Sequence, residues 1–244
     1  MKYSLIPKLM LLSKIAMSQI TLPAYQGVVS KIPAVVTPTF SCGPSTVSDI
    51  DGNIYNTVLI NTQCWMASNL RVSKYNNGTT VPEISASSTW PPASATGVRT
   101  VYNDLTINFT NYGYLYNWYA ITDSRKICPT GWHIPLDAEW TALTTFLGGT
   151  SVAGGKIKST GTSLWYTPNT GAVNSSGFSA LPGGFRNNDG SFGGITINAY
   201  FWSGTSYNTT TAYFRNLAYN SSNIWSYNNG VKLSLGFSVR CLRD

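Results

Sequence analysis

The stretch "ICPTGWHIPLDAEWTALTTFLGG", residues 127–149, carries the clearest structural instruction in the chain. Asp137 stands where a helix cap belongs, since a short acidic side chain can accept from the first unpaired backbone N–H groups. Trp140, Leu143, Phe146 and Leu147 then recur at helical spacing, and Gly148-Gly149 supplies the stop. An amphipathic helix is expected from Asp137, with those four apolar residues facing a core. The residues in front of it, around Cys128 and Trp132, read as framework.

Outward from this helix the signals weaken. "AGGKIKSTG" (153–161) suggests a second, shorter helix, and "YGYLYNWYAI" (112–121) an aromatic strand or short helix that belongs to the core. "GFSALPGGFR", "YFWSGT" and the terminal "GFSVRCLRD" read as short strands or turns punctuated by Gly. Near the other end, "TVSDIDGNIYNTVLI" (46–60) reads as two strands around an Asp51-Gly52 turn, with Ile54, Val58 and Ile60 alternating on the second. The run Asp49, Asp51, Asn53 has the beginning of a calcium loop but lacks its closing Glu, and a hairpin explains it better. "QCWMASNL" adds a buried-type Trp65 and Met66. Residues 72–111 are rich in Ser, Thr, Asn and Pro and are expected to loop over the surface. The inventory is α+β: one or two helices, several short antiparallel strands and extensive ordered loops.

Residues 1–41 differ from the rest. Residues 1–18 read as a signal-like segment, basic then apolar, whose apolar run is interrupted by Lys14. It is too short and too charged to span a membrane. Residues 19–41, with Pro23, Pro33 and Pro38 among β-branched residues, read as an extended tether. The division expected is a tail over 1–41 and a folded domain over 42–244.

Composition excludes several functions. Charged residues make up 10% of the chain, against about 25% in an average soluble domain. Nine acids and one histidine leave little for carboxylate chemistry. The net charge is +7, but the cations are scattered and form no stripe that could track a phosphate backbone, so no nucleic-acid partner is expected. Cys42, Cys64, Cys128 and Cys241 are even in number and none is in CxxC spacing, so two disulfides in an exported protein fit better than a metal site. If Asp51-Gly52 is a two-residue turn, positions summing to 103 face each other. Cys42 then falls near Asn61, close to Cys64, and Cys128 is left with Cys241. The alternative is four buried thiols in a cytoplasmic protein.

The C-terminal third raises a different question. Of the 32 residues from 198 to 229, 21 are Asn, Tyr, Ser or Thr. Rigid amphipathic rings beside small polar groups are what binding surfaces favour. Tyr200, Tyr207, Tyr213, Tyr219, Trp225 and Tyr227 are the candidate aromatic anchors. Asn208, Asn216, Asn220, Asn223 and Asn228 are the candidate adaptable hydrogen-bonding groups. Tyr213 and Phe214 are adjacent, so in a strand only one of them faces out. Tyr219 is expected to be exposed.

Six blocks occur in order: "DIDGNIYNTVLINTQCWMASNL", "YGYLYNWYA", "ICPTGWHIPLDAEWTAL", "SGFSALPGGFR", "FWSGT" and "GFSVRCL". Together, over residues 42–244, they closely resemble the Fibrobacter succinogenes major paralogous domain, a family of exported bacterial proteins. The resemblance implies a C-type-lectin-like fold of the kind seen in formylglycine-generating enzyme. Within that superfamily the residues weigh three readings. A formylglycine-type oxidase needs reactive thiols and copper, and the related iron oxygenases need several histidines. Here each cysteine has a disulfide partner in view, and His133, between Trp132 and Ile134, reads as structural. A calcium-dependent lectin needs acid-and-amide motifs, yet residues 190–243 contain no Asp or Glu. The third reading is a variable protein of a diversity-generating retroelement, in which adenines of AAC and AAT codons are rewritten. Asn, Tyr, Ser and Thr are among the outcomes; Trp202 and Trp225 are not, and would be fixed.

The expectation is therefore a non-enzymatic binding module without metal or cofactor, extracellular or on the bacterial cell surface, with a virion as a further setting. It would present its C-terminal face to a protein or glycan ligand on another surface. A structural or adhesive display domain is the alternative.

Overall fold

The last nine residues hold the molecule together. In a computed structural model, which describes residues 39–86, 88, 96–187 and 189–244, the segment 236–244 runs between two five-stranded sheets and bonds to both. Gly236 exchanges backbone hydrogen bonds with Arg186, and Phe237 with Tyr116. Ser238 donates to Tyr200, while the carbonyls of Val239 and Cys241 accept from Leu70 and Met66. The signal-like segment and most of the tether lie outside the described residues. Phe40–Asp244 form one compact unit.

In chain order the strands are β1 (Thr46–Ser48), β2 (Ile54–Ile60), β3 (Gln63–Met66), β4 (Arg99–Thr100), β5 (Leu115–Tyr116) and β6 (Trp132–His133). They continue as β7 (Gly183–Arg186), β8 (Phe192–Ile195), β9 (Asn198–Ser206), β10 (Thr211–Ala218), β11 (Trp225–Val231) and β12 (Leu242–Arg243). The helices are α1 (Thr106–Tyr112), α2 (Trp118–Thr122), α3 (Asp137–Phe146) and α4 (Thr150–Ile157). One sheet has the order β1-β2-β3-β12-β6, the other β11-β10-β9-β7-β8, and β4 pairs with β5. The fold is mixed α and β. Among the described residues four α-helices exceed the expected one or two: α1 falls in a stretch read as loop, and α2 in one read as an aromatic strand or short helix.

Strand β3 separates two cores. Met66 packs into one with Tyr55, Tyr116, Trp202, Phe214 and Phe237. Its neighbour Trp65 points the other way, to Trp140, Ile157, Phe178, Phe201 and Leu217, because successive strand residues face opposite sides. Trp65 and Trp140 meet at 4.8 Å between ring centroids, and Trp140 lies 5.7 Å from Phe201.

Several local expectations are corrected. Helix α3 forms, but Leu136 is its cap position; Glu139 reaches back to accept from Leu136 N at 2.7 Å, which frees Asp137 for other work. Trp140, Leu143 and Leu147 are buried, whereas Phe146 is exposed. α4 begins three residues before the predicted start. Its Gly154 and Gly155 face the chain, and a Cβ on Gly154 would fall on the Asn223 carbonyl. In the first hairpin Val47 pairs with Tyr55, a register summing to 102 rather than 103. The reason is Asp49, whose carboxylate accepts from the backbone of Asp51 and Asn53, from the Asn53 amide and from the Tyr55 hydroxyl. This closes a wider loop than a two-residue turn and occupies the oxygens a cation would need. Ile54 is consequently exposed, and Tyr55 and Ile60 are buried. Both disulfides have the expected partners, Cys42–Cys64 and Cys128–Cys241.

Candidate functional site

The Asn- and Tyr-rich window folds into the meander β9–β10–β11 instead of short strands and turns. Phe214 lies opposite Trp202 and Tyr227, and Asn216 opposite Tyr200 and Trp225. Alternation therefore puts Tyr200, Trp202, Phe214, Asn216, Trp225 and Tyr227 on one face. Phe201, Arg215, Leu217 and Ser226 take the other, which packs on α3. There Arg215 donates to the Asp137 carboxylate at 2.6 Å, to the Asp137 carbonyl at 3.1 Å and to Thr141 Oγ1 at 3.2 Å.

On the first face the rings form a chain. Phe185 meets Tyr200 edge-on at 5.3 Å, Tyr200 stacks on Phe237 at 5.1 Å, and Tyr227 stacks on Phe214 at 5.3 Å. Between them opens a cleft of about 160 Å³, lined by Phe185, Tyr200, Phe214, Asn229, Leu235 and Phe237. Burial, with the Tyr227 phenol next to it, raises the pKa of Tyr200 and keeps it neutral. Tyr227 is 42% exposed. Two residues of β11, Asn228 and Asn229, stand opposite the single Tyr213 where the β10–β11 register shifts, a bulge that re-aims side chains.

The eleven predicted site residues do not share this face. Tyr200, Trp225 and Tyr227 belong to it. Asn216 does too, but it is 8% exposed, and its amide donates to the carbonyls of Ala199 and Leu217; it is not an adaptable contact. At the β9–β10 hairpin, exposed Tyr207 meets half-buried Tyr213 edge-on at 5.6 Å, while Phe214 points inward. Asn208 shapes that turn by accepting from the backbone of Thr210 and Thr211 at 2.9 and 2.8 Å. Tyr219, Asn220 and Asn223 lie in the β10–β11 connection, on the side of the second core. Tyr219 is half-buried, edge-on to Tyr166 at 5.4 Å and packed against that core, which corrects its assignment as an exposed anchor. Asn220 is exposed, and Asn223 and Asn228 are half-buried.

A buried lysine holds each connection. Lys232 Nζ donates to Ser206 Oγ and the Asn208 carbonyl, each at 2.6 Å, with Trp118 beneath it at 4.2 Å. Lys158 Nζ donates to the carbonyls of Thr170, Ala218 and Ser221 at 2.8–3.0 Å. The Lys158 clamp, made to backbone carbonyls, does not depend on which side chains its connection carries, whereas the Lys232 clamp also uses the Ser206 hydroxyl. Phe185, Phe214, Asn229, Leu235 and Phe237 were not among the predicted site residues. The period-2 alternation of Tyr200 and Trp202 could have pointed to Phe214; Phe185 and Phe237 sit in blocks read as short strands or turns punctuated by Gly.

A second recess, of about 310 Å³, is lined by Ile121, Cys128, Trp132, His133 and Ile134 among others. Its histidine is engaged on both sides, with Nδ1 2.6 Å from Asp244 Oδ1 and Nε2 3.0 Å from Glu139 Oε1. His133 thereby ties the helix-capping Glu139 to the C-terminal residue. Among the described residues no group of three or more His, Cys, Asp or Glu is placed to hold a metal.

The family model of the Fibrobacter succinogenes major domain matches residues 58–243. The chain belongs to that family. No curated protein and no solved structure matches it. The family match begins inside β2, so β1 and Cys42 lie before it. Among the described residues no helix is long and apolar enough to cross a membrane.

Proposed function

We propose that this protein is an exported binding module with a C-type-lectin-like fold, which presents the β9–β11 face to a ligand on another surface. The observation that carries the reading is the alignment of Tyr200, Trp225 and Tyr227 on one sheet face beside an aromatic-lined cleft. Three aromatic residues from two strands, β9 and β11, which flank β10, give a rigid contact area, and rings of this kind dominate interface energetics. Two disulfides are compatible with an extracellular location. No chemistry is assigned to the module.

Diversification by a retroelement is the finer form of the same proposal. What supports it is a division within the window. Phe201, Trp202, Phe214, Arg215 and Leu217 are buried, and of these Trp202 cannot be produced from an Asn codon by changes at its two adenines. Tyr207, Asn208, Asn220, Tyr227 and Asn229, all reachable, are exposed.

The test is a binding screen against arrayed bacterial surface proteins and glycans, comparing wild type with Tyr227→Ala and Tyr219→Ala. Tyr227→Ala should weaken any captured ligand about tenfold, equivalent to about 1.4 kcal/mol, with unfolding stability lowered by no more than about 1 kcal/mol, the scale of one cross-strand ring pair. Tyr219→Ala should lower stability by about 1–2 kcal/mol and leave the affinity of the folded protein unchanged. Capture that survives Tyr227→Ala intact would place the contact face elsewhere.

A further inference from the structure

Between residues 190 and 242 the chain contains three charged side chains, Arg215, Lys232 and Arg240, and no acid. All three are buried, at 2%, 5% and 0% exposure. Arg215 is turned onto Asp137, and Lys232 is held by Ser206 and Asn208. Arg240 donates to Asn69 Oδ1 and to the carbonyls of Met66, Phe178 and Ser179. The whole stretch that forms β9, β10 and β11 therefore shows solvent rings, amides and hydroxyls but no charged group. In a protein of net charge +7, this neutrality is local to one face.

The cleft has the same character. Five of its six lining residues are apolar or aromatic, and Asn229 supplies the single amide. Its volume, about 160 Å³, compares with the roughly 150 Å³ cavity that accepts benzene, the size of one Leu, Met or Phe side chain. A sugar ring carries hydroxyls on most of its carbons and needs several converging donors and acceptors, which this lining lacks. A polyanion needs exposed cations, and the face has none. Asn229 also belongs to β11, the edge strand of its sheet, which runs from Trp225 to Val231 without the Lys, Glu or Pro that usually guard an edge. Open backbone groups thus border the cleft, and a main chain can use them.

We propose that the face binds an uncharged, extended segment of a protein partner, which seats one apolar side chain in the cleft between Tyr200, Phe214 and Phe237. This rests on the reading of β9–β11 as the contact face and names the ligand class.

The proposal is tested by nuclear magnetic resonance titration of the full chain with N-acetyl-phenylalanine amide, N-acetyl-leucine amide, methyl β-galactoside and a heparin hexasaccharide. The two amides should shift the resonances of Phe214, Asn229 and Leu235 at millimolar concentration. Their affinity should change less than about twofold between about 0.02 and 0.5 M salt, because no charge is screened. Asn229→Phe, on the open edge strand, should fill the cleft mouth and weaken the amides about tenfold, with an otherwise unchanged spectrum confirming the fold. Shifts at these residues from the galactoside or heparin fragment, or none from either amide, would overturn the proposal. So would self-association through this face that excludes the amides. A galactoside seated in the cleft would refute the ligand class while leaving the binding module standing. Failure of every probe together with array binding indifferent to Tyr227→Ala would remove both.

Discussion

Lys158 is a buried ammonium whose charge is met by three backbone carbonyls instead of a carboxylate. Its stem lies over Trp165, with Nζ 5.3 Å from the ring. Burial pushes its pKa down to about 8 from 10.5. Removing it strands the carbonyls of Thr170, Ala218 and Ser221, whose bonds to it are part-buried. Lys158→Met should therefore cost about 2–4 kcal/mol in urea unfolding. The lowered pKa fixes the sign of the pH dependence. Between about pH 8 and 10.5 the unfolded chain holds the proton that the folded chain has released, so this group's contribution to stability rises with pH. The stability difference between wild type and Lys158→Met should widen over that window; a constant or shrinking difference would show that the lysine stays charged in the fold. Nothing local in the sequence marks Lys158 as buried, since its partners lie up to 63 positions away. His133 was different: its apolar neighbours pointed to a structural role, and its two carboxylate partners supply one.

At the scale of elements, legibility followed the strength of local rules. Helix α3 was readable because apolar periodicity and a Gly-Gly stop agree. Its cap was misplaced by one residue because Glu139, not Asp137, takes the free N–H group. The first hairpin slipped by one because an Asp49 side chain overrode the turn preference of Asp-Gly. Strands β9–β11 were harder still: Asn and Ser are poor strand formers, and cross-strand ring pairs such as Phe214 with Tyr227 add to the backbone ladder that holds them in register. Hence the sequence offered the aromatic residues as one group and could not sort them by face. Helix α4 shows the opposite case, in which unfavourable helix residues are retained for contact. Gly154 lets the β10–β11 connection approach the helix backbone. Gly154→Ala should accordingly destabilise the fold by about 1–3 kcal/mol in denaturant titration, despite Ala's better helix propensity. A stabilising effect would mean that the connection moves aside freely.

The whole molecule is closed by its C-terminal segment, and the Cys128–Cys241 bond fastens that segment to the bend ahead of β6. The bond spans 113 positions, a loop whose closure contributes about 4–5 kcal/mol in the chain-entropy model. Cys128→Ser together with Cys241→Ser should lose about that much, measured against wild type in guanidinium. A loss below about 1 kcal/mol would mean that Arg240 and the strand pairings fix the segment unaided. At this scale the order of six sequence blocks revealed the family, and the family match bears it out. The path of residues 236–244 between two sheets could not be read, because it depends on contacts made far along the chain.

The contact face can be tested without knowing its ligand, by deep sequencing of the 3′ end of this gene in a natural population. The proposed diversified face predicts amino-acid changes concentrated at exposed Tyr207, Asn208, Asn220, Tyr227 and Asn229, with Trp202, Arg215, Arg240 and the "GFSVRCL" segment unchanged. Changes spread evenly along the chain, or confined to silent sites, would contradict it.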